Sequence, residues 1–152
     1  MSRRILGKYD GLKYGGLKDT KKFLLLLLVV FLLFRLVIGF SFVKGNSMEP
    51  TLYDGEIVLY LRISPQYQKG DVVSVRIPDG EYYVKRIIAA EGDTIDLRDG
   101  SVYVNDELLN EPYIEGETLP QDGTVRYPFT VGEDQIFVMG DNRETSMDSR
   151  SF

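Results

Sequence analysis

Ser47 is the side chain of this sequence best suited to nucleophilic chemistry. Gly45 and Asn46 just before it permit unusual backbone angles, and Pro50 just after it stiffens the turn. The 152 residues include no histidine and no cysteine. The base that activates such a serine must therefore be a lysine, a carboxylate or a tyrosine. A serine beside a proline turn is by itself an ordinary surface feature, so a partner is needed.

Lys85 is the candidate base. In an extended strand, alternation places Tyr83, Lys85 and Ile87 on one face and Arg86 on the other. Burial on such a face disfavours the charged ammonium and lowers the pKa of the lysine, which makes it a usable general base. The alternative is an edge-strand lysine that discourages aggregation. We expect Arg86 to be solvated or paired, with no chemical role.

A polar, turn-rich segment near the end of the sequence, residues 139–150, supplies a third element. Most of it is expected to be a loop held by pairs between aspartate and arginine. Ser146 is the candidate for orienting a neutral lysine, because a base needs a third group to fix its position.

The elements that position these residues are predicted to be short strands. The β-branched and aromatic content and the turn signals favour strands at the following positions: 56–63 (buried), 71–77, 82–89, 94–98, 102–104, 125–129 and 135–139. Pro78 to Glu81 and Asp99-Gly100 are predicted hairpin turns, and residues 110–124 a surface loop. The sequence therefore predicts an all-β domain, a small folded sheet or barrel-like structure.

An apolar run precedes these strands. Residues 23–43 are apolar except for Arg35 and a few small residues, and about 20 such residues cross a bilayer as a helix. Arg35 lies in the second half of the run, where it can snorkel to the headgroups. The run is long for a secretory signal and no small-x-small site follows it. We therefore predict one uncleaved transmembrane helix over 23–40.

The distribution of charge predicts the orientation. Residues 1–22 carry seven basic and two acidic side chains, and the sequence from Lys44 onward carries ten basic and twenty-one acidic ones. Short basic flanks stay in the cytoplasm. The expected organisation is a basic cytoplasmic tail at 1–22, the membrane helix, and an extracytoplasmic domain at 41–152 on a single-pass protein of the plasma membrane. The acidic domain also excludes nucleic acid as a partner, because phosphate contacts need clustered Lys and Arg.

Three segments together resemble the bacterial type I signal peptidases, also called leader peptidases. Gly45 to Leu52 resembles the nucleophile box of that family, and Tyr83-Val84-Lys85-Arg86 with Gly92-Asp93 resembles its lysine box. Gly140 to Arg143 and Asp148 to Arg150 resemble its C-terminal box. Three boxes in this order behind an N-terminal anchor are highly specific, whereas each box alone is weaker.

The resemblance implies a role for each matching position. Ser47 resembles the nucleophile, Lys85 the general base and Ser146 the hydroxyl that holds the lysine. The backbone N–H of Ser47 resembles an oxyanion donor, and the glycine at position 45 leaves a second donor to backbone or water. The supporting charged residues are Asp141, Arg143, Asp148 and Arg150. The walls of the shallow substrate site are Val43, Gly45, Met48, Leu52, Tyr83 and Val84.

The implied activity is that of a membrane-bound serine endopeptidase with a Ser–Lys dyad. It would remove signal peptides from exported preproteins with small residues at the first and third positions before the cut, and its partners would be those signal peptides and the lipid bilayer. The resemblance implies no cofactor and no metal. Glu144-Thr145 replaces an Asp-Asn common in the family. Relatives continue beyond the last box with one or two strands, so we expect the usual final strands to be absent from residues 41–152.

Three other functional classes compete with this interpretation. A catalytically inactive or truncated membrane-anchored β-domain acting in interaction is the first alternative. A self-cleaving Ser–Lys regulator is the second, but such proteins are soluble and carry a DNA-binding domain. A metal-dependent hydrolase is hard to build without histidine or cysteine.

Overall fold

A computed structural model of the chain describes residues 17–63, 66–77, 80–122 and 125–151. Within these ranges one helix precedes a series of short strands, all paired antiparallel. The elements are α1 (Leu17–Val37), β1 (Ile38–Phe42), β2 (Ile57–Leu61), β3 (Val72–Arg76), β4 (Tyr82–Ala90), β5 (Thr94–Arg98), β6 (Ser101–Val104), β7 (Glu107–Leu108), β8 (Phe129–Thr130) and β9 (Ile136–Met139). The predominantly β character expected from the sequence is confirmed.

The helix differs in its bounds from the predicted span 23–40. It begins at Leu17 and ends at Val37, because Ile38 already pairs with Leu61 in a strand. Of the helices in the described ranges, none has both the length and the apolar character required for crossing a bilayer. Residues 1–16 of the predicted tail lie outside the described part of the chain.

The first sheet consists of β1 and β2 alone and exposes its apolar side chains. The strand predicted as buried over 56–63 forms between Ile57 and Leu61, but the prediction of burial was wrong. Leu59, for example, is 76% exposed. A two-stranded sheet has no third strand or second layer of its own to cover its side chains, and four of the five β2 residues are exposed.

The second sheet has the order β3-β4-β9, which makes β4 its central strand. The expected hairpin between β3 and β4 is present, with the Ile77 N–H donating to the Glu81 carbonyl; Pro78 and Asp79 of its turn lie outside the described residues. A bulge between Ile87 and Ala89 interrupts the pairing of β4 with β9. Because a bulge changes the side-chain alternation, Ile87, Ile88 and Ala89 are all buried in succession.

The third sheet, ordered β7-β6-β5-β8, packs against the end of the second to form the core. Its β5–β6 hairpin turns at Asp99-Gly100 as predicted, with positive φ at both residues. The strand predicted over 125–129 was wrong in position, since pairing is observed only at Phe129–Thr130. Pro128 has no N–H to donate, so ladder pairing begins after it. The core residues are Ile88, Ala89, Ile95, Val102, Val104, Val131, Phe137 and Met139.

Candidate active site

The side chains of Ser47 and Lys85 are in contact beside strand β4 of the second sheet. The Nζ atom of Lys85 lies 2.8 Å from the Oγ atom of Ser47, although 38 positions separate the two residues. Lys85 lies on the central strand β4 and is only 2% exposed, so the possibility of an edge-strand lysine is excluded. A hydroxyl at this distance from an amine can transfer its proton directly when the amine is neutral.

Burial lowers the pKa of Lys85 below its ordinary value. Desolvation is the main cause, because an ammonium loses hydration inside the protein. The negative charge of Asp148 and, more weakly, that of Asp141 oppose this effect, while the positive charge of Arg150 adds to it. As predicted, Tyr83 shares the face of Lys85, and its ring centroid lies 5.5 Å from Nζ.

The turn that carries Ser47 is held at both sides by hydrogen bonds. The Gly45 N–H donates to Oδ1 of Asp54 at 2.7 Å, with Gly45 at a φ of +84° that favours glycine. The Asn142 N–H donates to the carbonyl oxygen of Ser47 at 3.1 Å. The N–H of Ser47 itself donates to no group in the described part of the chain and is left available to a substrate oxygen.

Gly140 provides the space in which the turn at residues 45–51, called the nucleophile turn after its candidate nucleophile Ser47, approaches the C-terminal segment 139–150. A Cβ at this position would lie 2.4 Å from the carbonyl oxygen of Ser47 and 2.3 Å from Oγ of Ser146. Ser146 is buried, and its hydroxyl lies close enough to the Asp148 carboxylate to help lower the pKa of that group. The structure therefore brings Ser146 between the turn that carries Ser47 and the carboxylate of Asp148.

Asp148 and Arg150 form a buried ion pair beneath the site. The guanidinium Nε and Nη2 of Arg150 donate to the two carboxylate oxygens, each at 2.9 Å, and the Gly140 N–H donates to Oδ2 at 3.0 Å. Burial alone would raise the pKa of Asp148, but the hydrogen bonds and charge of Arg150 hold that pKa below its ordinary value. The pair predicted from the sequence is thus present and fixes the position of Gly140.

Asp141 and Arg143, the other two predicted supporting residues, face different partners. Asp141 accepts two hydrogen bonds from Arg86, at 2.8 and 2.6 Å. Arg143 pairs with Glu111 and also donates to the Gly140 carbonyl at 3.0 Å. Both interactions join the C-terminal segment to other parts of the domain.

The six predicted substrate-site residues fall into two groups according to their burial. Val43 and Met48 are buried, at 6% and 1% exposure, and therefore support the surface from beneath. Gly45 is exposed, and the partly exposed residues are Leu52, Tyr83 and Val84. Of the six, these last four have surface that is open to solvent.

Sequence reasoning missed the partner of Arg86 and the contacts of Asp54 and Glu111. Arg86 is paired, one of the two states expected for it, but its partner Asp141, through which it joins β4 to the C-terminal segment, was not foreseen. Its position on the strand face opposite Lys85, together with the predicted supporting residue Asp141, was a usable signal. Asp54 and Glu111 are ordinary loop carboxylates in the sequence, and only the fold brings them to the site. The described residues contain no group of three acidic side chains arranged to hold a metal ion.

Comparisons with known proteins find similar sequences and a similar solved structure. The family described as "Signal peptidase, peptidase S26" matches residues 17–152. A signal peptidase I from Bacillus licheniformis is 37% identical over 91% of this chain and 81% of its own length. Signal peptidase I S from Bacillus subtilis (strain 168) is 36% identical over the same shares of the two chains. The crystal structure of a signal peptidase I from Enterococcus faecalis V583 superposes with a TM-score of 0.51 at 32% identity, over 57% of this chain and 86% of that one.

Gly140→Ala is expected to destabilise the domain by about 1–3 kcal/mol, because the new methyl group overlaps the Ser47 carbonyl and the Ser146 hydroxyl. Urea unfolding followed by circular dichroism measures the change. Gly132→Ala is the matched control, since its Cβ meets only the flexible end of Gln135. Equal stability of the two variants would contradict the close approach at Gly140.

Proposed function

The chain belongs to the signal peptidase family, peptidase S26, and is a serine endopeptidase; we propose that it removes signal peptides from exported preproteins through a Ser47–Lys85 dyad. One observation carries the mechanism. Lys85 is 2% exposed, its pKa is lowered by burial, and its Nζ atom lies 2.8 Å from Oγ of Ser47. The chain contains no histidine, so the lysine is the base within reach of the serine.

The reaction begins with attack on the scissile carbonyl. The Oγ atom of Ser47 forms a bond to the carbonyl carbon while the neutral amine of Lys85 accepts the hydroxyl proton. The negative charge on the carbonyl oxygen is stabilised by the free N–H of Ser47. Such a donor contributes about 3 kcal/mol of transition-state stabilisation.

The second half of the reaction uses the same lysine. As the C–N bond breaks, the Lys85 ammonium gives its proton to the leaving amine, and an acyl ester remains on Ser47. Lys85, neutral again, then accepts a proton from water as the water oxygen attacks the ester. The tetrahedral intermediate then breaks down: the ester C–O bond to Ser47 is cleaved, the Lys85 ammonium returns its proton to Oγ, and the product leaves with a new carboxyl group.

The supporting residues are proposed to keep the lysine in place, while burial lowers its pKa. The buried Ser146 hydroxyl is the group proposed to orient the Lys85 amine. Asp148 and Arg150 act on the amine in opposite directions, since Asp148 raises its pKa and Arg150 lowers it. Arg143 and Asp141 hold the segment that carries these groups.

The substrate is proposed to bind as an extended strand between the nucleophile turn and β4. Backbone groups near Val43 and Tyr83 would pair with it, as in strand addition to a sheet edge. Val43 and Met48 are buried and would form the floor of this site. The resemblance to signal peptidases supports specificity for small residues at the first and third positions before the cut.

Membrane attachment through the apolar segment 23–40 is also part of the proposal. The side chains from Phe23 to Val37 are exposed, and all of them except Arg35 are apolar. Exposed apolar surface of this extent is typical of contact with lipid or a partner. The basic residues before it favour a cytoplasmic N-terminus, with the acidic domain 41–152 outside the plasma membrane.

Ser47→Ala and Lys85→Ala are each expected to abolish cleavage of a preprotein with an Ala-x-Ala site. The measurement is mass spectrometry of the products formed by the detergent-solubilised chain. Ser41→Ala and Lys69→Ala, which alter a partly exposed serine and an exposed lysine outside the dyad, are the controls and should cleave like the parent. Absence of cleavage by a folded parent would favour the inactive interaction domain instead.

The rate is expected to fall as the pH is lowered. Neutral Lys85 is the active form and its pKa lies below the ordinary 10.5, so activity is present above that lowered pKa and is lost as the pH falls through it. The pH profile of kcat/KM on a peptide substrate measures this pKa in the free enzyme. Lys69→Ala should leave the profile unchanged. A flat profile from neutral pH to pH 4 would exclude Lys85 as the base.

Charges placed in the apolar segment are expected to release the chain from lipid. Leu26→Asp with Val30→Asp should shift it from the pellet to the supernatant when vesicles are sedimented, because each aspartate at the centre of a helix in lipid costs about 3 kcal/mol. Leu108→Asp, on the exposed strand β7, is the control. Sedimentation of the double variant with the vesicles, like the parent, would contradict attachment through this segment.

A further inference from the structure

We infer that Tyr113 is a positioning residue for the Ser47–Lys85 pair and that it acts through Arg86. Tyr113 lies in the loop between β7 and β8 and contacts neither member of the pair. The inference rests on the proposed function, because it assigns the residue a part in that reaction. It extends the site to a loop that the sequence marked only as surface.

Arg86 is the residue through which Tyr113 acts. The guanidinium carbon of Arg86 lies 4.0 Å from the centroid of the Tyr113 ring, which covers one face of the guanidinium group. The edges of the group are also occupied: Arg86 binds Asp141 with two hydrogen bonds, the Gly70 carbonyl at 2.8 Å and Oγ1 of Thr51 at 3.3 Å. With its ring contact, Arg86 is only 11% exposed.

These contacts reach the nucleophile by two routes. Thr51 belongs to the same turn as Ser47. Asp141 precedes Asn142, whose N–H holds the Ser47 carbonyl. A displacement of Arg86 would therefore move the nucleophile turn and the segment opposite it together.

Tyr113 is itself fixed from the other side. Its hydroxyl donates to Oε1 of Glu111 at 3.0 Å, and Glu111 pairs with the fully buried side chain of Arg143. Arg143 in turn donates to the Gly140 carbonyl. The contacts thus close a ring that begins at Gly140 and ends at Asp141, the next residue along the chain.

The ring gives Tyr113 a specific physical task. A planar guanidinium stacks on an aromatic face, and the cover excludes water from the ion pair of Arg86 and Asp141. Burial of the ring and, after it, the carboxylate of Glu111 raise the pKa of Tyr113, so its hydroxyl stays protonated and keeps donating. Loss of the ring would let water reach the pair and loosen the segment that holds Ser47.

Tyr113→Leu is expected to lower kcat about tenfold on an Ala-x-Ala peptide, with KM within about twofold of the parent value. KM is unaffected because Tyr113 does not line the substrate surface. Tyr113→Phe keeps the stacked ring and should retain at least about a third of the parent kcat. Circular dichroism establishes that each variant is folded before its kinetics are compared.

Tyr103→Leu is the matched control. Tyr103 also stacks on an arginine, Arg98, at 4.9 Å, and that arginine also pairs with aspartates. This second cluster lies in the third sheet, away from Ser47. A merely structural role for Tyr113 predicts equal losses in the two leucine variants, whereas positioning predicts a loss of kcat only in Tyr113→Leu.

Hydrogen exchange of the Asn142 amide, followed by NMR, tests the coupling without any substrate. The exchange should be about tenfold faster in Tyr113→Leu and unchanged in Tyr103→Leu, since only the first variant loosens the bond to Ser47. Parent-like exchange in Tyr113→Leu, or a kcat loss shared with Tyr103→Leu, would overturn the inference. A parent that does not cleave the peptide refutes the proposed function alone, and the exchange rates then decide the inference by themselves.

Discussion

Burial of the Lys85 amine is the constraint on which the rest of the site depends. A lysine can be neutral near physiological pH only where water and negative charge are limited, yet it must still reach the serine hydroxyl. In the described part of the chain, Lys85 lies on the central strand of a sheet, and the two aspartates that act on its pKa are each paired with an arginine. Asp148 with Arg150 and Asp141 with Arg86 each form ion pairs with multiple hydrogen bonds. Breaking such a pair would leave an uncompensated buried charge, which is strongly unfavourable.

The arrangement of strands follows from this requirement. The central strand β4 places Lys85 on one side and Arg86 on the other, so a single strand supports both the dyad and the ion pair that fixes the C-terminal segment. The nucleophile turn arrives from a separate sheet and is fastened by only a few contacts, including the Asn142 N–H. The precision of the site therefore resides in loops that are cross-linked to each other, with the sheets as their supports.

The contact between Ser47 and Lys85 was easier to predict from the sequence than the framework around it. The two residues were selected from the absence of histidine, from strand alternation and from the resemblance of three segments to a known family, none of which requires the packing of the strands. The start of β8 after Pro128 and the exposure of β2 depend on which elements pack together, and local sequence patterns do not contain that information. The partners of Arg86 were missed for the same reason, since Asp141 and Tyr113 lie 55 and 27 positions away. Glu111, an unremarkable loop carboxylate in the sequence, acquires its importance only from the arginine that the fold brings to it.

Because Lys85 and Arg86 are adjacent on β4, the geometry of the site depends on the correct register of that strand. A slip of one residue in the pairing of β4 would turn Arg86 toward Ser47 and Lys85 toward Asp141. A guanidinium does not give up its proton near neutral pH, so the slipped sheet could not generate a nucleophile. The same slip would turn Ile87 away from its buried face, so the misassembled domain would be less stable as well as inactive. A protease of this kind would therefore become active only in correctly folded molecules, and partly folded chains would pose little threat to neighbouring proteins.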